Sequence, residues 1–440
     1  MSQLASAASQ VDSDIAFLKA AVAALQAGQQ PPAPVPSPSI GFSRVIDVRD
    51  AGAKCDGSTD DTAAIQRALD TVAKPGAPNV VYIPPGVSLT GPLHFSYPGT
   101  ILQGDGLMGG RSGDAKCSIL QARDSSDSGP MLVADPSMLS VSRQWTRACV
   151  RGVGFNVSLS GRFTNAALPP PVISYRGVSN GCVNSEISIC GNIGTAIEIV
   201  NNPAVPQAIG ENTVFRNCII YAGRLPVNGS TSRMPIAPII NIVGGDNVRF
   251  EGGLYAYDFA NFPPAIVGDL TDMPMFQWAP LVLPEGVRPG FGGGIFGAAI
   301  CGMPVSVRVL AADWNGESYG PVALKFRDLI VEGFSSVFQF GIGNAKGHVG
   351  FNVSRKLEVS GCQLGGTGWY GRADQPRHQL LTDKMQGGRF DLDFTPFDGD
   401  VTFGADTSGA VCNIGVNPWG GNPQAVDVSK RNRITYAWQG

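Results

Sequence analysis

Charge is scarce in this chain. Only 15% of its 440 residues are Asp, Glu, Lys or Arg, and the formal net charge is −3. Such a balance argues against a nucleic-acid binder, which needs a basic stripe to neutralise phosphates. No run of 18 apolar residues occurs, so no membrane insertion is expected. The N-terminus "MSQLASAASQVDSDIAF" also lacks the basic, apolar and small-residue regions of a secretion leader. Nine cysteines, Cys55, Cys117, Cys149, Cys182, Cys190, Cys218, Cys301, Cys362 and Cys412, include no Cys-x-x-Cys pair. This odd, scattered set reads as buried reduced thiols rather than a zinc site or a disulfide framework, and neither a metal nor another cofactor is predicted. Beyond residue 95, helical periodicity disappears as well.

What is present in quantity is Gly (57), Pro (33) and a 43% hydrophobic fraction, the composition of a turn-rich β protein with a large core. The N-terminus stands apart. Leu4, Ala8, Val11, Ile15, Leu18, Val22 and Leu25 alternate at steps of four and three, an a/d seam that predicts an α-helical coiled coil over 1–27. The alternative is a single amphipathic helix packed on the body. The spacer "GQQPPAPVPSPS" within 28–42 favours self-association, because a proline-rich segment is extended and folds back poorly. Ile15 and Val22 at a, with Leu18 and Leu25 at d, lean towards two strands.

A second pattern repeats later. Hexapeptides starting at Val150, Val183, Phe215, Phe250, Phe326 and Val359 each begin with an apolar residue and carry Gly, Ser, Asn or Asp third. The starts lie 33, 32, 35, 76 and 33 residues apart by the numbering, and 76 fits two periods plus an insertion. A period of this size built from short β-rich pieces predicts stacked coils, each burying its inward side chains only against the next.

Within 45–93, "VIDVRDAGAKCDGSTDDTAAIQRALDTV" followed by "NVVYIPPGVSLTGPL" resembles the N-terminal signature of the pectate-lyase-3-like superfamily, departing mainly at Cys55, where that family usually has Gly. The resemblance implies an all-β, right-handed parallel β-helix with a capping helix. It also implies one of a set of polygalacturonase-like hydrolases, lyases and bacteriophage tailspikes. Coiled coil, proline spacer and β-helix together look like a tailspike. The resemblance thus implies a homotrimer, against the two-stranded lean of the heptads, a virion location, contacts with other virion proteins through 1–42, and a bacterial surface polysaccharide as ligand. The expected organisation is a β-helix over 43–410, with an N-terminal cap (43–95) and an insertion (256–320), then a cap or subunit contact at 411–440.

Candidate sites follow from residue chemistry. The acidic run around Asp56, Asp60 and Asp61 fails as a calcium loop, since Asp61 and Arg67 replace the glycine and glutamate such a loop needs; Thr59 and Asp60 are expected to cap a helix instead. "GDGLMG" at 104–109 precedes no helix and reads as coil corners rather than a nucleotide site. The family's Asn-Thr-Asp motif is absent, the only Asp-Asp is the cap, and His348 in "KGHVG" is read as structural. The most site-like stretches are 251–278 and 312–320. Glu251, Asp258, Asp269, Asp272, Asp313 and Glu317 are candidates for acid–base work, and Tyr255, Tyr257, Trp278 and Trp314 are candidate sugar-stacking platforms. Lys325 with Arg327 is a possible lyase pair.

Overall fold

The computed structural model describes residues 45–438 except 73–78, 107–115, 124–128, 136–144, 147, 158–169, 180, 182, 192–193, 203–209, 224–236, 259–273, 289, 303–304, 316, 333–335, 343–356, 366–377, 395–399 and 417–424. The predicted coiled coil and spacer lie outside the described residues. No described helix is long and apolar enough to cross a membrane.

Short strands with alternating apolar side chains cannot bury one face alone, and here, apart from two hairpins, the described strands pair in parallel with their counterparts on neighbouring coils. Three ladders result. The first begins at Val45–Asp47, Asn79–Tyr82 and Thr100–Gln103, and the second at Asp56–Asp60, Gly86–Thr90 and Ser118–Ala122. They join in one 22-stranded sheet, while the third, from Leu93–His94 to Ala425–Asp427, is a separate 11-stranded sheet. The chain is a right-handed parallel β-helix.

The interior is a set of columns. Down the first ladder, Phe215, Phe250, Ile295, Phe326, Val359 and Phe390 follow one another in register, all fully buried. Phe215 stacks on Phe250 at 4.9 Å, and Phe276 and Trp278 meet Phe250 edge-on from the third ladder. Each such side chain contributes ~1.5–3 kcal/mol by burial.

The predicted repeat is the corner between the first and second ladders. Gly152, Glu186, Asn217, Gly252, Gly297, Asp328 and Gly361 all have φ between 51° and 66° there. Successive backbone N–H groups donate to the next coil, as Asn217 to the Glu251 carbonyl and Gly252 to the Phe296 carbonyl. Glycine fits position 252 for a second reason: a Cβ would come within 2.6 Å of the Asn217 Oδ1. At the Val183 hexapeptide the left-handed residue is Glu186, so that unit starts one residue later than the sequence pattern implied. Gly297 marks a unit the pattern missed, beginning at Ile295.

This extra unit corrects the expected insertion. Residues 256–320 hold the third-ladder strand Pro274–Ala279, a hairpin (Leu281–Leu283 with Gly286–Arg288), a complete coil (Gly293–Phe296, Ala299–Cys301, Val305–Leu310) and a second hairpin (Ala312–Trp314 with Glu317–Tyr319). Among the described residues of this range, only the hairpins are additions to the stack. Within 411–440 the described strands Val411–Val416, Ala425–Asp427 and Arg433–Trp438 continue the ladders.

At the other end, the helix α1 (Thr62–Thr71) takes the place of the first coil's third strand and buries Ala64, Ile65, Ala68 and Leu69. Gln66 completes the sheet edge: the His94 N–H donates to its Oε1 at 3.0 Å, and its Nε2 donates to the His94 carbonyl at 3.1 Å. The acidic run holds turns. Asp61 accepts from the backbone N–H groups of Lys54 and Cys55, Asp60 accepts from that of Thr62, and Asp56 accepts from those of Ser58 and Thr59. Asp60 thus serves the N–H of the first helical residue, but the N-cap position is Asp61, whose side chain makes no cap hydrogen bond, and Thr59 does not cap. Cys55 sits at φ 55°, a left-handed position that accounts for the Gly usual in similar sequences.

Candidate functional site

The third ladder repeats an apolar–polar–apolar triplet: Ile173-Ser-Tyr175, Ile197-Glu-Ile199, Ile240-Asn-Ile242, Phe276-Gln-Trp278, Val307-Arg-Val309 and Phe338-Gln-Phe340. Side chains alternate across a strand, so the flanking residues enter the core and the middle ones face outward. Register then aligns Ser174, Glu198, Asn241, Gln277, Arg308 and Gln339 in a single column. Five spacings of about 4.8 Å make it ~24 Å long.

The column is hydrogen-bonded in successive pairs. Ser174 donates to Glu198, Gln277 Nε2 donates to Asn241 Oδ1 at 3.2 Å, and Arg308 Nε donates to Gln339 Oε1 at 2.9 Å. Arg176, two residues beyond Ser174, donates through Nε to the Ser174 hydroxyl and lies 3.6 Å from Asp135 and 3.8 Å from Glu198. Each primary amide has two donors and two acceptor lone pairs, and the Gln277–Asn241 bond engages one of each. Ser174 and Gln339, at the two ends, are buried, while Glu198, Asn241, Gln277 and Arg308 between them are half-buried. Such a row of amide, carboxylate and guanidinium groups suits hydroxyl-rich ligands, which need donors and acceptors at short intervals.

Beside this face lies the corner leading back to the first ladder. Glu211 and Asp246 form a parallel bridge there, which puts their Cα atoms about 4.8 Å apart on successive coils. Burial pushes the Asp246 carboxyl above its ordinary range, a hydrogen bond from the Phe291 N–H at 2.6 Å opposes this, Glu211 adds to the rise and Arg288 reduces it. The Phe291 ring is 56% exposed one coil further on. Leu281 and Leu283 of the first hairpin pack on Val243 at the column's edge, and Gly286–Arg288 packs against the second hairpin at Ala312–Trp314. The corner thus combines a paired carboxylate set, a cation and an open aromatic ring.

The residues favoured by sequence fare unevenly. Tyr255 and Trp278 are 0% and 1% exposed and Tyr257 is 5% exposed, all within the core, so they are not stacking platforms. Alternation is the reason: Trp278 shares the inward phase of Phe276, and Gln277 faces out between them. Trp314 is half-buried in the second hairpin, whose register pairs it with Glu317 and pairs Asp313 with Ser318. Asp258 ends the second-ladder strand Leu254–Asp258, while Asp269, Asp272 and His348 lie outside the described residues. Glu251 is on the first ladder's outer face, ion-paired to Arg216 at 2.7 Å. Arg327 makes two bonds to Glu358, at 2.6 and 2.7 Å, and is committed to that pair rather than poised beside Lys325. Among the described residues, no group of three or more His, Cys, Asp or Glu side chains is placed to hold a metal. Glu211, Asp246 and the polar column escaped sequence reasoning, although the recurrent triplet was its visible sign.

Residues 45–146 match the family described as Rhamnogalacturonase A/epimerase, pectate lyase-like. No curated protein matches the sequence. Among solved structures, ORF18 of Geobacillus virus E2 is similar at 12% identity and a TM-score of 0.41, over 90% of this chain and 62% of that one. The surface adhesin PfbA of Streptococcus pneumoniae is similar at 13% and 0.47, over 90% and 91%. A tailspike of Acinetobacter baumannii bacteriophage Fri1, described as a capsular polysaccharide depolymerase, is similar at 13% and 0.45, over 90% and 63%. The chain therefore spans less than two thirds of the two viral proteins.

Proposed function

We propose that this β-helix binds a linear polysaccharide along the outer face of its third ladder and cleaves it at the adjoining corner. The observation that carries the reading is the column Ser174, Glu198, Asn241, Gln277, Arg308 and Gln339, whose polar groups recur at the spacing of the coils. The heptad seam and spacer in 1–42 support self-association, and the resemblance to tailspikes, against the two-stranded lean of the heptads, supports three copies. In that wider setting they form a spike attached to other virion proteins and directed at a bacterial surface polysaccharide.

For cleavage, Asp246 in its protonated form gives its proton to the glycosidic oxygen while the Glu211 carboxylate attacks the anomeric carbon. The leaving sugar departs with the proton, and a glycosyl ester on Glu211 remains. Water then attacks the anomeric carbon as the Asp246 carboxylate takes one of its protons; the bond from that carbon to Glu211 breaks and releases the Glu211 carboxylate. Backbones one coil apart place both side chains on adjacent coils, from which the carboxyl groups can reach the about 5–5.5 Å separation of retaining enzymes. The raised affinity of Asp246 for its proton suits the acid role.

A second reading is a spike that binds without cleaving, favoured by the Phe291 N–H that Asp246 already accepts. Incubation of the protein with capsular polysaccharides and lipopolysaccharides of candidate hosts separates the two. New reducing ends of retained configuration support cleavage by this pair. Unsaturated uronates, or binding with no new ends, contradict it.

A further inference from the structure

The outer face of the second ladder differs in kind from the other two. Its strands Ile219–Gly223, Leu254–Asp258, Ala299–Cys301 and Ile330–Glu332 set Ile219, Leu254, Ala299 and Ile330 in one outward row. Tyr221, Ala256 and Cys301 form the next row, and charge enters it only at Glu332. Ile330 is 47% exposed and Tyr221 36%. Over the same coils the first ladder's outer face carries the ion pairs Arg216–Glu251 and Arg327–Glu358, and the third carries the polar column. Over these coils the second ladder thus carries charge only at Glu332 and at Asp258, which ends its strand in register with Gly223.

We propose that this stripe packs against the same stripe of a second copy of the chain. The inference rests on the reading in which residues 1–27 self-associate. A heptad seam of parallel helices brings copies together the same way up, with equal coils level, so that equivalent rows meet around the assembly axis. Four coils about 4.8 Å apart, with two strands of five residues and two of three, offer only ~250 Å² per copy, against the ~800 Å² per partner of a stable interface. The stripe therefore does not assemble the protein unaided. It sets the rotational orientation of solenoids that the N-terminal segment already holds at high effective concentration.

Full-length Ile330→Cys tests this, with the unsubstituted chain as the control for Cys301 and Arg249→Cys, on the first ladder's outer face, as the control for position. Ile330 is exposed, so the variant is expected to keep the parent's melting temperature. On oxidation with copper phenanthroline, Ile330→Cys is expected to move from the monomer to the dimer band on a non-reducing gel, while Arg249→Cys stays monomeric. As a second measure, Tyr221→Glu with Ile330→Glu is expected to weaken association ~10-fold or more by placing like charges together without partners. Should sedimentation find an assembly in which Ile330→Cys does not cross-link, the stripe assignment fails and the spike reading stands. A monomeric full-length chain overturns both.

Discussion

At the scale of the residue, the same side-chain types serve opposite purposes according to the phase of the strand that carries them. Trp278 and Gln277 are neighbours, yet one is sealed in the core and the other belongs to the polar column. An aromatic in a sequence rich in candidate carboxylates attracts a sugar-stacking reading; the alternation of Phe276, Gln277 and Trp278 shows why it fails here. Trp278→Ala is accordingly expected to lower stability by ~3–5 kcal/mol in a denaturant titration. Trp278→Phe, which keeps the core filled, is expected to leave glycan affinity unchanged. A loss of affinity at unaltered stability would restore the platform role. Asp246 invites a pH test. Its carboxyl is held above the ordinary range, so its charged form is disfavoured by folding: it costs stability at neutral pH, and the cost disappears as pH falls through its raised value. Asp246→Asn is therefore expected to melt no lower than the parent at pH 7. In the parent, the cleavage rate should fall as pH rises through the same value, because the acid form is lost. A variant that keeps the parent's rate and pH profile contradicts the assignment.

At the scale of the element, the corner turns and the cap were legible and the ladder faces were not. Left-handed corners demand Gly, Asn or Asp in most coils, and that chemical narrowness made Gly152, Asn217, Gly252, Asp328 and Gly361 stand out in sequence. The third-ladder column has no such narrowness. Ser, Glu, Asn, Gln and Arg all satisfy an outward position, and the spacings of 24, 43, 36, 31 and 31 residues vary because the connecting segments differ in length. Glu211 and Asp246 were hidden for a related reason: 35 positions apart by number, they become neighbours only through the turn of one coil. The cap offers a direct energetic test. Removing the Gln66 amide leaves the His94 N–H and C=O without those partners, so Gln66→Ala is expected to cost ~1–3 kcal/mol and to raise hydrogen exchange first in residues 93–96. Unchanged exchange there would mean that α1 packing, not the amide, closes the sheet edge.

At the scale of the whole molecule, one stack presents three different faces. Over the coils from Ile219 to Glu332, ion pairs line the first ladder, mainly small and apolar residues the second, and hydrogen-bonding groups the third; under the two proposals above, self-contact and ligand contact fall on different faces of the same coils. Acid tests the frame as a whole. Asp56, held low by the N–H groups of Thr59 and Ser58, and Glu358, held low by Arg327, contribute stability above the ordinary carboxylate range and lose it as pH falls through their lowered values. Asp246 and Asp383, both raised mainly by burial, act in the opposite sense. The melting temperature is expected to peak in mild acid, above about pH 4, and to fall on further acidification. The central claim, that the third ladder's outer face holds a glycan, is tested most directly by binding of the full chain to a panel of capsular and lipopolysaccharide glycans. The parent is to be compared with Gln277→Ala/Arg308→Ala, and with Arg249→Ala on the first ladder as control. The account predicts that the double variant loses ~10-fold or more in affinity, as expected for two hydrogen-bonding side chains, while the control binds like the parent. Equal binding by all three proteins, or binding by none, would contradict it.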